Sequence, residues 1–240
     1  MKKPYFIAIV AAIGISVFFI SCRSLAHING NGVMVTSERA VSHFEKIQIS
    51  GSAVVNYHAS QEYRAVVTVD SNLEEYTRVY TEGDTLKIGT KNRKSYSFTN
   101  YIVDVYCPKL SAVSVSGSVC FNGIDKISVS IFTLRVSGSA KINGTFECIK
   151  FDADLSGSGE IAISGTAKEM KVSVSGSVIF SGKELQTSSA DITISGSGRM
   201  QIWVLDYLKA RVSGSGKVTY RGNPKIEYTV SGSGRLESET

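Results

Sequence analysis

Few residues in this sequence could act as a catalytic nucleophile, a general base or a metal ligand. The chain has three histidines, His27, His43 and His58. A metal site or a serine–histidine pair would have to use them, because imidazole is the usual ligand and base in such sites. All three are scattered outside the regular repeats of the chain. We therefore expect surface roles for them, and we predict no catalytic residues, no metal site and no cofactor.

One pair of residues suggests carbohydrate chemistry. Arg135 and Asp154 occupy the same position in two successive repeats, and polysaccharide lyases built as parallel β-helices use acidic and basic residues on an outward strand. An ion pair between neighbouring strands on a solvated face is the simpler interpretation, because no further carboxylates accompany the pair. A polysaccharide-active, lyase-like enzyme is therefore an alternative that rests on an analogy of fold alone.

The N-terminus carries a different kind of signal. Lys2 and Lys3 precede an apolar stretch that starts at Tyr5 and ends in Ile20-Ser21-Cys22. A short basic region, an apolar run and small residues before a cleavage point are typical of a secretory signal. The Ile-Ser-Cys ending resembles a bacterial lipobox, with Phe19 where such boxes prefer Leu. We predict a lipoprotein signal peptide over residues 1–21 and lipidation of Cys22. A transmembrane anchor is the alternative, although the stretch is short for a spanning helix.

The residues after Cys22 indicate where the protein would be anchored. Arg23 follows, and not the Asp that commonly keeps bacterial lipoproteins on the inner membrane. We therefore predict a lipid anchor in the outer membrane, with the protein facing either the periplasm or the cell surface, and a polar tether over residues 22–32. Lipidation of Cys22 leaves an odd number of other cysteines, so we expect free thiols. A single disulfide between two of them is the alternative. These cysteines are Cys107, Cys120 and Cys148.

A short repeat dominates the rest of the sequence. The tripeptide Ser-Gly-Ser occurs eight times, and from the second copy onward the intervals are 18 to 21 residues. A fixed period of this length is the signature of stacked repeats. The copies begin at Ser50, Ser116, Ser137, Ser156, Ser175, Ser195, Ser213 and Ser231.

Residues around each Ser-Gly-Ser alternate between apolar and polar types. Counting from the first serine of each copy as position 0, positions −3, −1 and +5 are apolar in every copy and position −2 is polar in every copy. Alternation with period two predicts a strand with one buried face. If the alternation continues through the corner, both serines of every copy point outward. Position −1 is occupied by Ile49, Val115, Val136, Leu155, Val174, Ile194, Val212 and Val230.

These patterns predict an all-β fold, a right-handed, single-stranded parallel β-helix (solenoid) with coils of about 20 residues. The glycine of each corner is expected to adopt a positive φ or to let neighbouring backbones approach. We assign residues 111–240 to this solenoid. Residues 33–110 hold a single Ser-Gly-Ser copy and are predicted to form an N-terminal β cap continuous with it. An antiparallel sandwich or barrel is the alternative, since short strands with frequent turns also fit that class.

One charged feature could bind a ligand. Position +4 is basic in the last three copies, at Arg199, Lys217 and Arg235, which predicts a basic stripe able to meet acidic glycans or lipid headgroups. Loss of Lys2 and Lys3 with the signal peptide would lower the formal net charge from +5 to +3, too little to suggest nucleic acid. As partners we expect the membrane, through the lipid anchor, and a glycan or another envelope or host surface component.

Several short motifs together resemble a known family. Through these motifs the chain resembles the bacterial "putative auto-transporter adhesin, head GIN domain" family, and the resemblance covers nearly all residues after Cys22. The resemblance implies an exported, often lipid-anchored protein with a right-handed β-helix and an adhesin-type function. The motifs are Ile28-Asn29-Gly30-Asn31-Gly32, then Arg39, Phe44 and Ile47, then Asn72-Leu73, Leu86-Lys87-Ile88 and the serial Ser-Gly-Ser-Gly turns.

The main functional hypothesis is a non-catalytic envelope lipoprotein that presents a solenoid surface for adhesion or binding. Two alternatives stay open beside it. One is the lyase-like enzyme that would use Arg135 and Asp154, and the other is a structural periplasmic envelope protein without a ligand.

Overall fold

The computed structural model describes residues 27–91 and 95–239, and β-strands dominate both ranges. Within these ranges the helical content is one short 3-10 turn, Glu74–Tyr76, and no α-helix is present. The protein is therefore all-β, as the alternating pattern predicts. The signal peptide expected over residues 1–21 and the lipidation site expected at Cys22 lie outside the described residues.

The N-terminal half contains short strands of varied length. Four of them, β3, β4, β6 and β8, coincide with runs rich in β-branched, aromatic and alternating apolar residues, which favour strands. The eight strands are β1 His27–Asn29, β2 Met34–Arg39, β3 Lys46–Ala59, β4 Arg64–Asp70, β5 Thr77–Glu82, β6 Thr85–Thr90, β7 Ser95–Ser97 and β8 Tyr101–Cys107.

The C-terminal half contains strands that continue through the Ser-Gly-Ser corners. The longest, β10, spans 70 residues and includes three complete copies of the tripeptide and the first two residues of a fourth. Its length reflects a chain that bends at each corner without losing its inter-strand hydrogen bonds. The six strands are β9 Ala112–Gly123, β10 Ile127–Gly196, β11 Arg199–Gly214, β12 Lys217–Arg221, β13 Lys225–Gly232 and β14 Arg235–Ser238.

Successive repeats pair in parallel and in register. Strand β3 pairs with β9, β9 with β10, β10 with β11, and β11 with β13. Within β10 the glycine of each corner lies against the glycine of the preceding one, so that each Ser-Gly-Ser lies on the next. Ser50, for example, is opposite Ser116, which is opposite Ser137. These pairings between repeats rule out the antiparallel alternative for this part of the chain. They also include β3 in the stack, although sequence analysis placed its residues in the cap.

The apolar positions of the repeats form the core. Position −1 is buried from Ile49 to Val212, and positions −3 and +5 are buried over the same repeats. The last repeat differs, because no strand covers its outer side in the described residues. Tyr228 is 36% exposed and Val230 is 45% exposed. The alternation therefore predicts which side chains point inward, while burial also requires a neighbouring repeat on each side.

Glycine is required at the corners for two separate reasons. All eight corner glycines have positive φ, between +90° at Gly51 and +130° at Gly176, a region that L residues adopt at a cost. In addition, a Cβ added to Gly117 would lie 2.2 Å from the carbonyl oxygen of Gly51 in the adjacent repeat. Both expectations for the corner glycine are therefore confirmed. The positive φ and the close approach of neighbouring backbones occur at the same residue.

The N-terminal part closes one end of the stack with a mixed arrangement of strands. Strands β6 and β8 extend the parallel stack beyond β3. Antiparallel pairs then follow, β8 with β4, β4 with β2, and β6 with β5. The sheet is therefore mixed, and a purely parallel arrangement does not describe the whole chain. Strand β2 is the last strand of the sheet at this end.

The described end of the predicted tether is bound to this N-terminal part. Strand β1 pairs in parallel with β7, and the Gly30 amide donates to the Ser97 carbonyl at 2.8 Å. The Gly32 amide donates to the buried carboxylate of Asp70 at 2.9 Å. A flexible tether is therefore not the structure of residues 27–32, and the Ile-Asn-Gly-Asn-Gly motif serves as an attachment to the body of the protein.

Candidate functional site

The most regular surface feature is the row of Ser-Gly-Ser corners, which we call the serine edge. Both serines of every copy, at positions 0 and +2, are exposed, which confirms the prediction that they point outward. Because paired strands lie about 4.8 Å apart, the hydroxyls repeat at that spacing along the stack. The serine edge consists of Ser50, Ser52, Ser116, Ser118, Ser137, Ser139, Ser156, Ser158, Ser175, Ser177, Ser195, Ser197, Ser213, Ser215, Ser231 and Ser233.

A groove of about 550 Å³ runs along one side of this edge, and we call it the serine groove. One side is formed by the second serines of the first four copies, from Ser52 to Ser158, and by the residues that follow them. Phe98, Thr99, Asn100 and Tyr101, which lead into β8, form the other side. Cys120 and Lys141 also line it. A cleft of this volume is within the usual range of ligand sites.

A smaller cleft of about 320 Å³ lies on the other side of the edge, against the first serines. Arg135 and Asp154 line it and form an ion pair with each other, and both side chains are about half exposed. Gln48, Ser114 and Ser116 are among its other residues. The structure thus brings the predicted pair together. An exposed ion pair contributes little to stability, and each charge is neutralised by its partner.

The basic residues at position +4 lie side by side. Arg199 is opposite Lys217 in the β11–β12 pair, and Lys217 is opposite Arg235 in the β12–β14 pair. The Lys217 ammonium also forms a 2.6 Å ion pair with Glu237, and the basic neighbours hold the pKa of that carboxyl below its usual value. The basic stripe is therefore continuous in space, but Glu237 partly neutralises it.

The three histidines have separate surroundings. His27 Nε2 is 2.9 Å from Asn29 Oδ1 and 3.0 Å from Ser97 Oγ. One nitrogen cannot both donate to Asn29 and accept from Ser97, so this contact does not have the form of a serine–histidine–acid triad. His43 is near Glu45, and His58 stacks on Tyr106. In residues 27–91 and 95–239, no three or more His, Cys, Asp and Glu side chains are grouped to hold a metal ion.

The three described cysteines are free thiols. Burial raises the pKa of Cys107 to about 12 and that of Cys148 to about 11. Both are therefore protonated at neutral pH, and a protonated thiol is a weak nucleophile. Cys120 is half buried, and its thiol lies 3.7 Å from the Asn122 side-chain oxygen.

One part of the serine groove carries no repeat signal in the sequence. Phe98 and Tyr101 stand outside the Ser-Gly-Ser repeats, and no periodic pattern connects them to Ser52 or Ser139. They reach the groove because β8 pairs with β3, which carries the first corner. A signal is nevertheless present, since four aromatic residues, Tyr96, Phe98, Tyr101 and Tyr106, occur within eleven residues of one another.

None of the helical segments among the described residues has the length and hydrophobicity that a membrane-spanning helix requires.

Comparisons with solved structures show close similarity of fold. An adhesin from Bacteroides fragilis, named as putative, gives a TM-score of 0.83 at 18% identity, over 88% of this chain and 100% of that chain. Two structures from Parabacteroides distasonis each align over 89% of this chain and 100% of their own. One is named a putative lipid binding protein, with a TM-score of 0.73 at 27% identity. The other is named a putative adhesin, with a TM-score of 0.72 at 28% identity.

The family model agrees with the resemblance seen in the sequence motifs. A search of curated proteins found no match. The model described as "putative auto-transporter adhesin, head GIN domain" matches residues 43–224, which include strands β3 to β12 and seven of the eight corners. The chain therefore belongs to the auto-transporter adhesin, head GIN domain family.

Proposed function

We propose that this protein is a non-catalytic, lipid-anchored binding protein of the bacterial cell envelope with an adhesin-type role. In this proposal the stacked repeats wind as a right-handed, single-stranded parallel β-helix that presents the serine edge as its binding surface. The observation that carries the proposal is the serine edge itself, with exposed hydroxyls at every corner from Ser50 to Ser233. Hydroxyls at a constant spacing can donate to and accept from a repeating polar ligand.

The anchoring part of the proposal rests on the residues that precede the described chain. The lipobox-like Ile20-Ser21-Cys22 and the following Arg23 favour a lipid on Cys22 and placement in the outer membrane. The family and the structures named as adhesins support a position at the envelope or cell surface.

Protease treatment of intact cells tests this placement. Cells would carry the wild type or Cys22→Ala, and the membrane and soluble fractions would be separated in parallel. We expect the wild type in the membrane fraction and removed by protease from outside, and the Cys22→Ala variant released from the membrane. A wild-type protein protected until the outer membrane is opened would contradict the adhesin role and would favour a structural periplasmic protein.

The basic stripe is a second candidate surface within this proposal. Arg199, Lys217 and Arg235 are adjacent, and Glu237 neutralises one of their charges. Replacing all three with alanine should weaken binding to acidic cell-surface polymers, and it should reduce the dependence of that binding on salt. Unchanged binding by the triple variant would remove the stripe from the proposed surface.

Two other candidate functions are distinguished by their ligands. The similarity to the structure named a lipid binding protein, at 27% identity, supports lipid as an alternative ligand. The lyase-like alternative would use Arg135 and Asp154, which form an ion pair beside a cleft of about 320 Å³. Release of unsaturated products from acidic polysaccharides by the wild type, and its loss in Asp154→Asn, would favour the enzyme.

A further inference from the structure

The serine groove differs from the rest of the serine edge because it has a second side. Phe98 to Tyr101 line the groove together with the second serines of the first four copies, and the groove has a volume of about 550 Å³. Phe98 to Tyr101 do not line the smaller cleft on the other side of the edge. A ligand in the serine groove can therefore contact both the row of serines and the segment from Phe98 to Tyr101.

The hydroxyls on one side of the groove are available to a ligand. Ser52, Ser118, Ser139 and Ser158 are exposed. In the described part of the chain, none of their side-chain oxygens has a hydrogen-bond partner. This contrasts with Ser50, whose hydroxyl donates to the Ile88 carbonyl. A serine hydroxyl provides one donor and two acceptor positions, so the groove offers a row of uncommitted polar groups.

The aromatic side of the groove is held in place before any ligand binds. The rings of Phe98 and Tyr101 are 5.0 Å apart, and Phe98 also packs on Tyr96 at 6.0 Å. The Tyr101 hydroxyl donates to the Gly89 carbonyl at 3.0 Å, and the Thr99 amide donates to the buried Asp70 carboxylate at 2.8 Å. Because these contacts already hold the segment in place, ligand binding costs less conformational entropy.

From this geometry we propose that the serine groove is a carbohydrate-binding site that takes a short glycan segment. The inference rests on the proposed function and assigns its ligand class and position. A sugar ring has an apolar C–H face that can pack on the half-buried ring of Phe98, which the buried ring of Tyr101 supports. It also has a rim of hydroxyls that exchange hydrogen bonds with serines. Lys141 at the far part of the groove can pair with a carboxylate on the sugar, since its own contact with Glu160 is long, at 4.0 Å.

The same residues disfavour a lipid acyl chain. An acyl chain in this groove would cover the four serine hydroxyls without providing a hydrogen-bond partner. Each polar group covered in this way loses its hydration, which is unfavourable. A glycan replaces those water contacts with hydrogen bonds, and this difference favours a glycan over an acyl chain.

A matched pair of variants tests the site with the purified full chain. Ser139→Trp places an indole within the groove, while Ser197→Trp makes the same change on the same row outside it. Both positions are exposed, so both variants should keep the wild-type unfolding temperature. The probes are an array of bacterial and host-type oligosaccharides and, separately, a fluorescent fatty acid.

We expect the wild type and Ser197→Trp to bind the same oligosaccharide class, and Ser139→Trp to bind it at least tenfold more weakly. Phe98→Leu, which keeps an apolar side chain but removes the aromatic face, should also weaken binding several-fold. Glycan binding that is unchanged in Ser139→Trp would overturn the assignment of the site. Binding of the fatty acid without binding of any oligosaccharide would overturn the assignment of a glycan as the ligand. Binding of neither probe would overturn it as well.

These outcomes are independent of the test of the proposed function. Protease removal from intact cells reports where the protein is, whichever ligand fills the groove. A surface-exposed protein without glycan binding would contradict this inference alone, and a glycan-binding protein enclosed in the periplasm would contradict the adhesin role alone.

Discussion

At the scale of single residues, Asp70 is a buried carboxylate that connects two segments outside the repeats. It is fully buried, and its carboxylate accepts hydrogen bonds from the amides of Gly32 and Thr99. Burial alone would raise the pKa of this carboxyl, but the hydrogen bonds from Thr99, Gly32 and Asn100 outweigh it and lower the pKa below the ordinary value of 3.8. One side chain thus joins the N-terminal Gly-Asn-Gly segment to the aromatic side of the serine groove.

The lowered pKa of Asp70 predicts a specific loss of stability in acid. A carboxyl with a lower pKa in the folded state stabilises the protein above about pH 4, and this contribution disappears as the pH falls through the folded-state value. Asp70→Asn should destabilise the protein at pH 7 by about 2 kcal/mol, because its amide group cannot accept the same charge-assisted bonds. Urea unfolding between pH 2.5 and 7 by circular dichroism provides the measurement.

Asp84→Asn is the control for this prediction. The pKa of Asp84 is also lowered, chiefly by its hydrogen bond with Lys46, but the pair is exposed to solvent. We expect a much smaller effect from this substitution, because exposed ion pairs contribute little. Equal losses in the two variants, or an undiminished acid dependence in Asp70→Asn, would contradict the role assigned to Asp70.

Single residues were predictable from the sequence where a repeat fixed their orientation. The serines of the serine edge point outward as the period-two pattern requires. Asp70 carried no such signal, because a lone acidic residue at the end of a strand is usually solvated. Its burial depends on Gly32 and Thr99, which are 38 and 29 residues away along the chain. Contacts of that kind depend on the packing of several strands, which no local pattern encodes.

At the scale of secondary-structure elements, the corner between two strands combines two demands on glycine. Gly117 has a φ of +126°, and a Cβ there would lie 2.2 Å from the Gly51 carbonyl oxygen. Gly51 also has a positive φ, +90°, but a Cβ there would meet nothing within 4 Å. The two positions therefore separate the cost of the backbone conformation from the cost of the close approach between repeats.

We predict that Gly51→Ala destabilises the protein by about 1–2 kcal/mol, which is the conformational cost alone. Gly117→Ala should cost clearly more, about 3 kcal/mol or above, because the methyl group must also push two paired backbones apart. Chemical denaturation of the two variants under identical conditions compares these values. Similar losses at both positions would show that stacking distance is not what requires glycine at the corners.

The strands themselves were more predictable than their partners. The apolar runs that became β4 and β8 are recognisable from their residue types. Their antiparallel pairing, in which Val67 is opposite Val103, is not. Alternating residues fit either direction of pairing, and the direction is decided by the path of the chain between the strands. For this reason the parallel repeats were foreseen from their period, whereas the mixed arrangement at the N-terminal end was not.

At the scale of the whole molecule, the two ends of the stack are different. Antiparallel strands β2, β4 and β5 close the N-terminal end. At the other end, every residue of β13 is exposed to solvent, and its inward-facing positions, including Tyr228 and Val230, are covered on one side only. In a linear array each repeat is stabilised by its neighbours, so a repeat with one neighbour has about half of that support.

This asymmetry predicts a gradient of local stability along the stack. Amide hydrogen exchange followed by mass spectrometry should be slowest in β9 and the first part of β10, and fastest in β13 and β14, because local opening starts where few buried contacts must break. A matched pair of substitutions tests the same point. Val212→Ala, at a residue that is 2% exposed, should cost about 2 kcal/mol, and Val230→Ala, at one that is 45% exposed, should cost less than half as much. Exchange at one uniform rate from β3 to β14, with equal effects of the two substitutions, would show that the repeats unfold as a single cooperative unit. In that case the support from neighbouring repeats would extend along the whole stack, and the exposed last repeat would be as stable as the central ones.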